Sequence, residues 1–172
     1  MRSGNAACLS LAMTLLGVAA IAFSAIPERR TSLVYNPSAS APRGWYTVRP
    51  ATELRIGSLV LVRLPTAARR LADARRYLPE SVPALKRVVA GPGDRVCELN
   101  GRVTIDGRGI ATARSRDAAG RQLFAWSGCQ TLAAGQLFLL STENEASFDS
   151  RYFGPVDRVL IIGVATPLWI RR

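Results

Sequence analysis

Ala84-Leu85-Lys86-Arg87-Val88-Val89-Ala90-Gly91-Pro92-Gly93-Asp94-Arg95-Val96-Cys97-Glu98-Leu99-Asn100-Gly101-Arg102-Val103-Thr104-Ile105 reads as strand, breaker, strand, two-residue turn, strand. Gly91-Pro92-Gly93-Asp94 cannot continue a ladder, because proline brings no N–H and glycine favours turn geometry. Asn100-Gly101 between two alternating segments is the strongest short hairpin signal, since both residues tolerate the positive φ that a tight hairpin demands. In the first strand residues 84, 86 and 88 share one face, which puts Lys86 on an apolar stripe.

Outward from this stretch, residues 58–64 form an apolar run of strand length stopped by Pro65, and residues 137–141, 159–164 and 167–170 read as further strands. Residues 67–77, with Arg69, Arg70, Arg75 and Arg76, have helical composition and predict a basic surface helix. Residues 36–44 hold two prolines and a glycine and predict a rigid non-helical loop. Residues 114–120 are polar and expected to be mobile. Many short strands and one surface helix predict a mainly β domain, closed or sandwiched.

Residues 6–26 carry no charge, and a helix of that length reaches about 31 Å, enough to cross the hydrocarbon of a bilayer. The expected organisation is a short tail over 1–5, a transmembrane anchor over 6–26, a linker over 27–35 and a β-rich domain over 36–172. A cleaved signal peptide is the alternative, because Ala22-Phe23-Ser24 offers small residues where cleavage would fall. The flanking charges, Arg2 before and Glu28, Arg29 and Arg30 after, scarcely decide orientation. Cys97 and Cys129 bracket a loop whose closure would be worth about 4 kcal/mol. As a disulfide they imply an oxidising, periplasm-like compartment; as two buried free thiols they imply nothing.

The net charge of +11 invites a nucleic-acid reading. The arginines, however, are scattered, and the aromatics do not interleave with them as stacking platforms do. No nucleic-acid partner is expected, and attraction to anionic membrane lipid accounts for the excess.

Lys86 is the only lysine, and there is no histidine. Ser-His-Asp and Cys-His catalysis are thereby excluded, and three cysteines without histidine make a poor zinc set, so no metal or cofactor is expected. The serine/lysine alternative survives. A lysine near pKa 10.4 is neutral in roughly one molecule in 2,500 at pH 7, so it serves as a base only where burial disfavours the ammonium. The plain alternative is a chance lysine whose head snorkels to water.

Three segments complete the pattern: Ser38-Ala39-Ser40-Ala41-Pro42-Arg43-Gly44-Trp45-Tyr46, then Lys86-Arg87-Val88-Val89-Ala90-Gly91-Pro92-Gly93-Asp94-Arg95-Val96, then Phe148-Asp149-Ser150-Arg151-Tyr152-Phe153-Gly154-Pro155-Val156. With them the chain resembles the type I signal peptidases (serine peptidase family S26), and most closely their conjugative-transfer branch, the TraF-like peptidases. The resemblance runs over roughly residues 36–164. It implies a signal-peptidase-like β-rich catalytic domain on the periplasmic side of the cytoplasmic membrane, with Ser40 as nucleophile and Lys86 as general base. It also implies that Asp149 and Arg151 hold the site together and that the Ser40 N–H and Ser38 hydroxyl supply oxyanion donors. Ser38 could equally be a turn residue, and for Asp149 the alternative is an ion pair with Arg151 shaping a turn. Two departures stand out. The common pattern sets its serine three residues before proline, where this chain has Ala39, whereas the TraF-like spacing places it at Ser40. The common pattern also has Gly-Asp where this chain has Gly57-Ser58.

The implied partner is a preprotein, above all a prepilin or another conjugative-transfer component, which such enzymes can also cyclise. A general signal peptidase and a catalytically silent envelope scaffold are the competing expectations. Oligomeric state is not legible.

Overall fold

Chain reversals at glycines and prolines cut the apolar runs into short strands, and pairing those strands builds two antiparallel sheets. The computed structural model describes Met13, Thr14, Gly17 and residues 31–171. The tail over 1–5 and nearly all of the anchor over 6–26 lie outside the described residues. Among the described residues no helix is long and apolar enough to cross a membrane. Thr31–Arg172 forms one compact unit.

The larger sheet has seven strands in the order β1-β2-β11-β3-β4-β9-β10. Its members are β1 (Ser32–Asn36), β2 (Gly44–Arg49), β3 (Leu59–Val62), β4 (Ala84–Ala90), β9 (Gln136–Leu140), β10 (Val156–Asp157) and β11 (Ile161–Ile170). The smaller sheet, in the order β7-β6-β5-β8, contains β5 (Arg95–Leu99), β6 (Arg102–Ile105), β7 (Arg108–Thr112) and β8 (Gly128–Thr131). Helix α1 spans Thr66–Ala74, and the single turn α2 spans Ser150–Phe153.

The central strands are buried on both faces, which is why Leu59–Val62 reads as a continuous apolar run rather than an alternation. Val60, Val62, Ala84 and Val88 pack with Ala68 and Ala72 of α1 on one side; Leu61 and Leu85 pack with Tyr46, Val48 and Ala165 on the other. Helix α1 is thus half-embedded. A third cluster, Val96, Val103, Leu132, Phe138 and Leu140, joins the small sheet to β9.

The Asn100-Gly101 hairpin forms as its chemistry demands: Asn100 has φ 54° and Gly101 φ 83°, with Leu99 facing Arg102. Three features depart from the sequence reading. Residues 32–35, expected as linker, and Asn36, expected as the start of the loop, form β1 against β2. Residues 159–164 and 167–170 belong to one run of structure, with β11 continuing through Pro167 because its register shifts between Pro167 and Trp169. Finally, the loop expected to be mobile is pinned. Asp117 accepts from the N–H groups of Ala119 and Arg121, from the Arg121 guanidinium at 2.8 Å and from the Tyr77 hydroxyl. These donors, led by Tyr77, hold its carboxyl well below the usual carboxylate range.

Cys97 and Cys129 face each other across β5 and β8 and form a disulfide. With a sequence separation of 32, reducing the bond should lower unfolding free energy by about 2–4 kcal/mol. Urea midpoints with and without reductant measure this; coincident curves would mean that β5 and β8 hold their register without the crosslink.

Candidate active site

The turn joining β1 to β2 carries Ser38 and Ser40, and its shape is set from below. Asn36, the last residue of β1, is buried and spends its whole amide on this turn. Its Oδ1 accepts from Ser38 N–H at 3.1 Å and from Ser38 Oγ at 2.8 Å. Its Nδ2 faces the carbonyls of Ser38, Ala41 and Pro42 at 3.0–3.2 Å. Ala41 is buried, the Tyr46 hydroxyl donates to the Pro42 carbonyl, and Gly44 (φ 149°) passes so close to β11 that a Cβ would lie 2.1 Å from the Trp169 carbonyl oxygen. Ser40 Oγ lies 2.8 Å from Ser38 Oγ.

Lys86 sits on β4 between Ala84 and Val88, on the face toward α1, and is 3 % exposed. It does not snorkel. Burial is the main cause that pushes its pKa down to about 8; Arg151 adds to the fall and Asp149 opposes it. Its ammonium donates to Ser147 Oγ at 2.5 Å. Among the described residues no hydrogen bond links Lys86 to Ser40. The two do line one cavity of about 650 Å³, with Ser38, Ser147 and an apolar wall that includes Leu61 and Leu64. A wider depression of about 740 Å³, lined by Arg43, Trp169, Ile170 and Arg171, offers neither nucleophile nor base.

Asp149 and Arg151 lie behind this cavity, fully buried, and bond to each other at 2.8 Å through both Nε and the terminal nitrogen. Burial works against the guanidinium, and Asp149 more than offsets it, so the Arg151 pKa is raised. The remaining donors of Arg151 reach the carbonyls of Thr112, Asn144, Glu145 and Ser147. Asp149 also accepts from Ser141 N–H at 2.9 Å, and Ser141 Oγ donates to the Ser40 carbonyl. The pair therefore grips the chain at both ends of the cavity, touching Ser40 through Ser141 and Lys86 through Ser147.

Ser38, Ser40 and Lys86 thus meet at one cavity, Asp149 and Arg151 stand behind it, and the disulfide lies away in the small sheet. Sequence reasoning missed Asn36, Ser141 and Ser147. Asn36 directly precedes Pro37 and reads as loop, while Ser141 and Ser147 are two hydroxyls in a polar stretch with no spacing to mark them.

The chain is similar to known proteins. Residues 6–169 match the family described as signal peptidase, peptidase S26. The conjugal transfer protein TraF of Agrobacterium fabrum is 34% identical over 144 residues, covering 78% of this chain and 80% of its own length. The probable conjugal transfer protein TraF of Sinorhizobium fredii is 32% identical over 175 residues, covering 95% and 89%. A crystal structure of a signal peptidase I from Enterococcus faecalis aligns with a TM-score of 0.40 at 19% identity, over 67% of this chain and 98% of that one. On the length of the family match and the TraF relatives, the chain belongs to the signal peptidase family, peptidase S26.

Proposed function

We propose that this protein is a serine endopeptidase in which Ser40 is the nucleophile and Lys86 the general base, cutting a preprotein of a conjugal transfer apparatus such as a prepilin. The observation that carries this reading is a lysine buried on an apolar sheet face, depressed to about pKa 8, lining the same cavity as an accessible serine. At pH 7 such an amine is neutral in about one molecule in ten, against roughly one in 2,500 for an ordinary lysine. That difference is what makes it useful as a base near neutrality.

In this reading the reaction runs through these residues. Ser40 Oγ–H turns from Ser38 toward the neutral Lys86 Nζ and gives up its proton as the oxygen bonds to the scissile carbonyl carbon. The oxyanion takes hydrogen bonds from the Ser40 N–H and the Ser38 hydroxyl. Collapse breaks the C–N bond, the leaving amine takes the proton from Lys86, and an ester remains on Ser40. Water, deprotonated by Lys86, then hydrolyses that ester. Ser147 positions Lys86; Asp149 and Arg151 act as structure behind the chemistry.

Residues 6–26 serve in this reading as a membrane anchor, which confines enzyme and substrate to one surface and raises their effective concentration. The disulfide supports a catalytic domain on the periplasmic face. A catalytically silent scaffold is the competing reading, favoured by the Lys86 bond to Ser147 rather than to Ser40.

Coexpression with a candidate prepilin separates the two. Ser40→Ala should yield no processed product; full processing by Ser40→Ala with none by Ser38→Ala would move the nucleophile. The pH profile is the second check. Because the folded pKa lies below the usual lysine value, the active neutral form gains with pH, and kcat/KM should rise about tenfold from pH 7 to 9 with a half-maximum near 8. A flat profile across that range would remove Lys86 as the base.

A further inference from the structure

Residues 115–123 fold back on themselves as a short arm beside the cavity. The Leu123 N–H donates to the Ser115 carbonyl at 2.8 Å, Arg116 pairs with Gln122, and the Asp117 N–H donates to the Arg121 carbonyl at 2.9 Å. At its base the Arg114 N–H donates to the Tyr152 hydroxyl at 3.0 Å. At its tip the Tyr77 hydroxyl donates to Asp117, and the Arg121 guanidinium donates to the Arg75 carbonyl at 3.1 Å. Along the extended stretch 114–116 the first and third side chains share a face, and Arg114 and Arg116 both line the cavity that holds Ser40 and Lys86.

Among the described residues the charged groups lining this cavity are Lys86, Arg114, Arg116 and Asp117. Asp117 does not balance the cations, because Arg121 at 2.8 Å, Arg75 at 3.8 Å and the Tyr77 hydroxyl already meet its charge. Arg114 and Arg116 are exposed and form no ion pair among the described residues. The cavity thus holds unmatched positive charge. Resting on the reading of Ser40 and Lys86 as the reacting pair, we propose that Arg114 and Arg116 form a subsite for the carboxylate of an acidic side chain of the preprotein, at one fixed position relative to the cut. Planar guanidinium donors suit a carboxylate, and an arm already bonded at base and tip need not be ordered when the substrate arrives. The two arginines select the substrate and take no part in proton transfer.

The test gives the full-length chain in detergent a mixture of peptides from a digested proteome, with Ser40→Ala as the blank, and reads the cut sites by mass spectrometry. Wild type should enrich Asp and Glu at one position. End-blocked peptides are then made from one cut sequence, with Glu, Gln or Lys at that position, so that the side chain supplies the only carboxylate compared. The expected kcat/KM ratio of Glu to Gln peptide is about tenfold in wild type and below threefold in Arg114→Gln/Arg116→Gln, an enzyme–substrate double-mutant cycle that a merely structural role would not move. Charge reversal, Arg114→Glu/Arg116→Glu, should turn the preference toward the Lys peptide. Thermal unfolding first confirms that each variant is folded. Arg114→Gln alone, which removes no side-chain hydrogen bond among the described residues, should still lower the ratio at least twofold. Cleavage by wild type with no acidic enrichment overturns the proposal. So does an unchanged ratio in the folded variants; weaker binding of those variants to phosphatidylglycerol vesicles would then assign the arginines to lipid. Absence of Ser40-dependent cleavage is a different failure, seen before any arginine is changed: it removes the peptidase reading, and the subsite falls with it.

Discussion

Replacing Lys86 with methionine should abolish processing, by ~10⁴-fold or more in kcat/KM, while making the protein harder to unfold. The two effects have one cause. A pKa lowered from 10.5 to about 8 means that the fold disfavours the ammonium by about 3 kcal/mol. Below pH 8 the amine is protonated in folded and unfolded chains alike, so folding carries the full cost of taking the charge from water. Between pH 8 and 10.5 the folded form releases its proton first and the cost fades; above 10.5 it is gone. Methionine fills a similar volume without charge. Urea unfolding should therefore show Lys86→Met more stable than wild type by about 1–3 kcal/mol at pH 7, and the gap should close by pH 10 to 11. Loss of Ser147's partner trims the gain. A variant that processes at a normal rate would end the peptidase proposal, and one that is less stable at pH 7 would mean that Lys86 is held by attraction rather than tolerated against burial.

Asp149→Ala should be the most damaging single change to stability, at about 3–5 kcal/mol, or roughly 10–15 °C in Tm. It leaves the Arg151 guanidinium buried with its charge uncompensated, uncaps α2 and frees the Ser141 N–H. Processing should fall with it, because the same carboxylate holds Ser141 against Ser40 while Arg151 holds the Ser147 carbonyl. Calorimetry and processing measured together decide the role. Lost activity with an unchanged Tm would assign Asp149 to the chemistry instead of to the frame.

What the sequence made legible was local. The Asn100-Gly101 hairpin, the Lys86 strand and the break at Gly91-Pro92-Gly93 each declare themselves within a few residues, because turn chemistry and alternation are short-range signals. The β-rich class follows from them. What escaped depends on pairing at a distance: residues 32–35 read as linker until β2 lies beside them, and residues 159–164 and 167–170 read as two separate strands until the register shift at Pro167 joins them in β11. The cysteine pair stayed open between disulfide and free thiols, and only the β5–β8 register joins them. At the site, Lys86 was legible because it has no competitor, whereas its partner Ser147 lies 61 residues on among other hydroxyls.

A chain without histidine whose sole lysine is buried has an unusual relation to acidity. Its surface cations are guanidiniums, which stay charged throughout, and Cys97 and Cys129 are locked together. Burial brings the proton exchange of this one amine close to neutrality, so the chemical shift of Lys86 Nζ should move with a midpoint near pH 8.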